Sequence, residues 1–243
     1  MKNLLTFFDS FILKESKKYD LPYSLFITIF IFPLIIVPFF IFLIAFPSTR
    51  EIALKLLKEN NLIEVLTFIF LLLASILGFI MFFSKPGTKH KPLIMIFIFI
   101  FSLGMFFVAM EEIAWGQQLF KFETPDTFKQ INAQQELTLH NINSLQGKSE
   151  IFRLIFGIGG LIGLSLNRSQ SFKYLALPKI LLPLLLIITL VTLFDFYADF
   201  YAINPNLNKL LYKLSELIEF LIGVSGFLYI FLLYRANQLK YTK

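Results

Sequence analysis

The sequence predicts an all-α, polytopic transmembrane helix bundle of about six spans, with a short interfacial helical segment between spans 3 and 4. Three observations predict it. Hydrophobic residues make up 57% of the chain and charged residues 16%, where a soluble domain carries about 45–50% and about 25%. Phenylalanine alone contributes 32 of the 243 residues. A water-soluble interior of this size cannot hide that load, whereas lipid accepts apolar side chains on every face of a helix. The apolar residues also fall into runs close to the roughly 20 residues that cross about 30 Å of hydrocarbon. A single membrane domain over residues 1–243 suits this length better than two soluble domains.

The runs lie at residues 24–46, 62–83, 93–115, 151–166, 177–198 and 217–234. Before the first, Lys14, Lys17 and Lys18 follow Phe7, Phe8, Phe11 and Ile12. A secretory signal has the reverse order, so the segment reads as an amphipathic helix on the membrane surface or as a mobile tail. Pro33 and Pro38 are expected to kink the first span and Pro183 the fifth. The fourth run is short and holds Gly157, Gly159, Gly160 and Gly163, which suits close packing against a neighbouring helix.

Six spans put both chain ends on one side, here side A. That side holds thirteen of the 22 basic residues and only Asp9, Glu15 and Asp20 among the 16 acids. The short stretch 85–92 (KPGTKHKP) concentrates this bias and includes His90. The positive-inside rule then makes side A cytoplasmic. The expected location is a bacterial inner membrane with both termini in the cytoplasm and residues 116–150 as an extracytoplasmic polar loop on side B.

The chemistry concentrates in residues 108–147. Glu111 and Glu112 end the third apolar run, where a carboxylate is costly unless it faces protein, water or a cation. Either the pair marks the membrane surface, with Trp115 in an aromatic belt, or at least one faces a polar cavity opening to side B. Helical counting sets Glu112 with Trp115 and Leu119 on one face, and Glu111 with Ala114 and Gln118 on another. Gln117 and Gln118 supply amides able to orient a ligand. In ETPDTF (123–128), Thr124 is expected to cap a helix with Pro125 in its first position and Asp126 in its first turn. One or two interfacial helices then reach toward Asn143. On such a helix Glu136 and His140 share a face at i,i+4, as a proton relay, as two metal ligands or as a structural latch. Gln134, Gln135, Asn132 and Asn141 add to the polarity of this stretch.

Two acidic pairs return to side B. Asp195 and Asp199 end the fifth span, and Glu216 and Glu219 open the sixth, where acids also suit a helix start. Asp195 is the deepest and is expected to meet Glu111 or Glu112. Such a cluster needs a shared proton, a basic partner or a divalent cation. Arg153 is the best basic partner within the chain. With no cysteine and two histidines, thiolate sites, disulfides and a three-histidine metal site are excluded. Glu112, His140, Asp195 and Asp199 are the candidate ligands of a divalent cation, for which Mg²⁺, Mn²⁺ or Ca²⁺ suits the oxygen donors better than Zn²⁺.

The run EEIAWGQQ, then FETP, then INAQQELTLHNI resembles a signature of a poorly characterised family of bacterial multi-pass membrane proteins. The resemblance covers residues 111–142. Family members usually carry Ser where this chain has Ala114 and Arg where it has Gln118. The resemblance implies a bacterial membrane origin and draws attention to Glu111, Glu112, Trp115, Gly116, Gln117, Asn132, Glu136, His140 and Asn141. It implies no activity.

Three functions fit these residues. The first is a hydrolase or group transferase acting on a lipid or lipid-linked substrate at the side-B face. Glu111, Glu112, Glu136, His140 and Asp195 would be its catalytic groups. Trp115, Gln117, Gln118, Asn132, Asn141 and Arg153 would line its substrate site. The second is an ion-coupled transporter, disfavoured by span centres that are nearly pure hydrocarbon. The third is a non-catalytic membrane subunit or assembly factor whose polar loop docks a membrane protein partner. Nothing in the sequence suggests nucleic-acid binding.

Overall fold

In a computed structural model the six apolar runs become six membrane-length helices, and the chain is a polytopic membrane helix bundle. The structure describes residues 2–58, 61–84, 92–132, 136–139, 149–168, 174–201 and 204–241. Within them α1 is Lys2–Tyr19, α2 Tyr23–Ala45, α3 Pro47–Leu56, α4 Leu62–Phe83 and α5 Pro92–Glu112. Short α6 (Gln117–Phe120) and α7 (Asp126–Ile131) precede α8 (Ser149–Ser165), α9 (Leu182–Phe200) and α10 (Pro205–Tyr241). The spans are α2, α4, α5, α8, α9 and α10. Among the described residues there is no sheet.

The longest helix, α10, is the bundle's axis, packing against α1, α2, α4, α8 and α9. Leu217, Ile218, Leu221 and Ile230 on it are fully buried. It runs well past the expected 217–234 on both sides. Hydropathy marks only its apolar middle, while the helix starts at Pro205, just after Asn204, whose Oδ1 accepts the Asn206 N–H at 2.9 Å. Helix α2 continues through Pro33 and Pro38. Pro183 falls in the first turn of α9, where no intrahelical N–H is required, so it starts this helix instead of kinking it.

Helix α8 forms a complete span: with the 3₁₀ turn Leu166–Arg168 it runs for 20 residues. Its glycines explain the closeness of α9. A methyl group at Gly157 would meet Thr189, at Gly160 Leu185 and at Gly163 Leu177, whereas Gly159 faces open space. Gly157 and Gly160 let the two backbones approach, and Gly163 makes room for Leu177 in the segment before α9.

The segment before the first span is an 18-residue helix, α1. It lays Phe8 and Phe11 against Phe30 and stacks Tyr19 on Phe26. Arg235 near the end of α10 donates from Nε to Tyr19 O at 3.3 Å and from Nη2 to Asp20 Oδ2 at 3.5 Å. These contacts join both ends of the chain on side A. On side B, Arg50 of α3 donates to Ile44 O at 2.8 Å and Ala45 O at 3.3 Å, satisfying carbonyls that α2 leaves open at its C-terminus.

Candidate functional site

Side B carries two polar assemblies, and they diverge at adjacent residues. Helix α5 stops at Glu112, three residues before the expected end of the run. Ala114, Trp115 and Gly116 follow with φ of 46°, 54° and 89°. Glycine adopts this left-handed region freely, while Ala and Trp each cost about 1–2 kcal/mol there. The turn swings the indole back along α5. Trp115 Nε1 donates to Glu111 Oε1 at 2.5 Å, and its ring meets Phe107 edge-on at 5.3 Å. Trp115 is thus the partner of Glu111, and the expected pairing of its face with Glu112 fails because the helix has already ended.

The second oxygen of Glu111 holds the loop. Oε2 accepts the backbone N–H of Leu139 at 2.6 Å. Gln117 works the same way: Nε2 donates to Thr124 Oγ1 at 2.5 Å, and Oε1 accepts the Leu137 N–H at 2.9 Å. Asn132 donates from Nδ2 to Thr138 O at 2.7 Å and accepts the Glu136 N–H at 3.4 Å. Glu111, Thr124, Asn132 and Thr138 are all buried. Together they form a latch that folds the loop onto the end of α5. Its hydrogen bonds occupy the polar atoms of three residues expected to serve catalysis or substrate binding, Glu111, Gln117 and Asn132, and the indole N–H of a fourth, Trp115.

Several expectations for this loop are corrected. Pro125, not Thr124, directly precedes α7, and the Thr124 hydroxyl accepts from Gln117. Helix α7 ends at Ile131, and residues 136–139 are not helical. His140, Asn141, Gln134, Gln135, Asn143 and His90 lie outside the described residues, as do the side chains of Gln118 and Asp199.

The second assembly is charged. Arg153, on the second turn of α8, is buried, its side chain 7% exposed. Its Nη1 donates to Glu219 Oε1 of α10 at 3.0 Å, and its Nη2 to Asp195 Oδ2 of α9 at 3.1 Å. Glu150, a turn earlier, stands at 4.0 Å. One guanidinium therefore ties three spans. Its Nε is buried with no hydrogen-bond partner. Asp195 is thereby paired with Arg153. Glu216 and Glu219 lie three turns and more inside α10, not in its first turn. A role in stabilising that helix start is ruled out, since the dipole effect fades beyond one turn.

Glu112 belongs to this second assembly. Its carboxylate is within electrostatic reach of Glu219, Glu216, Glu64 and Glu111. Glu64 lies in the first turn of α4, so α4 and α10 bring carboxylates within reach of Glu112, while carboxylates of α8, α9 and α10 gather on Arg153. Among the described residues, no three His, Asp or Glu side chains gather closely enough to hold a metal ion. Of the four candidate ligands, Glu112 and Asp195 are described, with Asp195 engaged by Arg153.

Sequence reasoning missed Glu64 and Glu150. Their signals were available: Glu64 sits at a side-B helix start, and Glu150 is i,i+3 from Arg153. The latch partners Thr138 and the Leu139 N–H had no signal, because a backbone donor is invisible in a sequence.

The fold and this end-of-bundle polarity define the class: an all-α integral membrane protein with six spans among the described residues and its charge gathered at the span ends. Comparison with known proteins finds no matching family model, no matching curated protein and no matching solved structure.

Proposed function

We propose that the chain is a membrane-embedded hydrolase or group transferase that acts on a lipid or lipid-linked substrate at the side-B face. The observation that carries this reading is the convergence of Glu112, Glu216, Glu219, Asp195 and Arg153 from four spans onto one end of the bundle. Glu112, facing other carboxylates and not neutralised by the arginine pair, is the general base. Arg153, paired with Asp195 and Glu219, supplies positive charge that draws an anionic or ester-bearing headgroup to this end of the bundle. His140 is kept as the candidate proton shuttle. The latch of Glu111, Trp115, Gln117 and Asn132 acts by positioning the loop over the site.

The location of buried charge favours this reading over transport. Buried Glu15, Glu111, Glu150 and Arg153 all belong to helix ends, while Leu71, Ala74, Met105, Leu184, Leu185 and Ile188 fill the middle. Buried mid-span hydroxyls, including those of Ser75, Ser102, Thr192 and Ser225, carry no charge. A carrier for ions needs polar groups near the midplane. One observation favours a non-catalytic subunit instead: Leu119, Phe120 and Phe122 protrude from the loop, with Phe120 79% exposed. That finger suits a membrane protein partner as well as it suits lipid.

On the basis of side A's excess of lysine and arginine, we assign that side to the cytoplasm of a bacterial inner membrane. The chain has no cysteine, so single introduced cysteines at Ser10 and Lys121 and an impermeant thiol reagent test the orientation. Labelling of Lys121→Cys alone from outside is the expected result, and labelling of Ser10→Cys alone reverses the assignment.

The function is tested by reconstituting the purified protein with lipid extract from its source and following lipid masses over time, with Mg²⁺, Mn²⁺ or Ca²⁺ supplied in turn. Conversion of one lipid class that is lost in Glu112→Gln is expected. No conversion under any cation, with the protein folded, overturns the enzyme reading and puts the subunit reading ahead.

A further inference from the structure

The opposite end of the molecule carries a second charged feature that the proposed chemistry does not use. Helix α1 turns Phe8, Phe11, Ile12 and Tyr19 inward. Its outer face keeps Phe7 and Leu13 in the open, 72% and 44% exposed, with Lys14 and Lys17 exposed beside them. Lys14, Lys17 and Lys18 stand at i, i+3 and i+4 and so share a flank of the helix. The Lys18 ammonium is steered over the Tyr19 ring at 4.7 Å. Beneath them Glu15 is buried, and its Oε2 accepts no hydrogen bond. Lys14 and Lys18 of α1, and Lys179 of the 3₁₀ turn before α9, all act on that one carboxylate. Positive charge from two elements thus collects at one place and outnumbers the acid under it.

We infer that this outer face of α1, with Lys14, Lys17 and Lys179, binds the headgroup of an anionic glycerophospholipid in the side-A leaflet, while Phe7 and Leu13 enter the acyl boundary. The occupant follows from the chemistry. Lysine ammoniums match a phosphodiester, and exposed aromatic and aliphatic side chains on the same helix match the apolar layer directly below it. A free phosphate would use the lysines and leave Phe7 and Leu13 in water. Helix α1 is too polar to cross a bilayer itself and is not among the six spans. It lies against α2, α10 and the 3₁₀ turn before α9.

The test uses the full chain in nanodiscs of mixed phosphatidylcholine and phosphatidylglycerol, with native mass spectrometry counting the lipids retained by the ejected protein. Preferential retention of phosphatidylglycerol is expected. It falls about fivefold for each lysine neutralised in the series Lys14→Gln, Lys17→Gln and Lys179→Gln. The side-B pair Lys55→Gln and Lys121→Gln leaves it unchanged. Raising the salt on the unmodified protein weakens the preference without any substitution. Wild-type preference in the triple variant, an equal loss in the side-B pair, or indifference to salt overturns the inference.

Discussion

Glu111 and Glu112 are neighbours in the chain and belong to different machines. Glu111 is buried with both oxygens filled by neutral donors, the Trp115 indole and the Leu139 backbone. Glu112 is within electrostatic reach of Glu219, Glu216 and Glu64, and of these Glu219 is paired with Arg153. The first arrangement is complete and holds a loop. The second brings carboxylates of several spans together beside one arginine pair. A doublet of identical residues at a span end can therefore divide into a half that latches a loop and a half that faces other acids, and the division is set by where the helix unwinds.

The largest expected effect is on the arginine that anchors the charged half. Arg153→Ala strands Asp195, Glu219 and Glu150 without their cation. Removing one partner of a buried ion pair costs about 3–5 kcal/mol, so thermal unfolding in mild detergent should fall sharply. An unchanged melting temperature would mean that water already screens these carboxylates.

A smaller and opposite pair of effects separates the two glutamates. In Glu111→Gln the amide can accept from only one of the two donors and sets its own N–H₂ against the other. Leaving a buried donor unpaired costs about 1–3 kcal/mol, and hydrogen exchange at Leu139 should quicken. Glu112→Gln removes like-charge repulsion and is expected to hold or raise stability by up to about 1 kcal/mol. If both substitutions destabilise equally, the distinction between latch and charge centre is lost.

A third carboxylate, at the far end, sharpens the contrast through pH. Burial pushes the Glu15 carboxyl above the usual carboxylate range, with Lys18, Lys179 and Lys14 only partly opposing it. A carboxyl raised on folding favours the docked helix when protonated. That stabilisation is complete below the ordinary carboxylate pKa and is lost as pH rises through the raised value. Limited proteolysis of α1 should therefore quicken with rising pH across the weakly acidic range, and Glu15→Gln should flatten the profile. A flat profile in the unmodified protein would contradict the burial of this group.

Most of the bundle was legible because a membrane makes one demand that hydropathy can read, about 20 apolar residues for each span. Runs 62–83 and 177–198 match α4 and the fifth span to within two residues. What was illegible lay outside that demand. The extensions of α10 before Leu217 and after Tyr234 are interrupted by polar and charged residues, among them Asn208, Lys209, Lys213, Arg235 and Asn237, and so do not read as an apolar span. Nothing in the letters AWG announces two non-glycine residues at positive φ, so helical counting carried Trp115 to the wrong glutamate. The Arg153–Asp195 pair was legible because charge in an apolar end must find a partner. The latch was not, since half its partners are backbone groups.

The central claim is that Glu112 carries the chemistry and Glu111 the architecture. Its most direct test is the membrane lipid profile of the source organism with the gene deleted and restored as wild type, Glu111→Gln or Glu112→Gln, normalised to folded protein. The account predicts that one lipid class shifts on deletion, returns with wild type and in proportion to folded Glu111→Gln protein, and does not return with Glu112→Gln. Full restoration by Glu112→Gln, at wild-type protein levels, would contradict it.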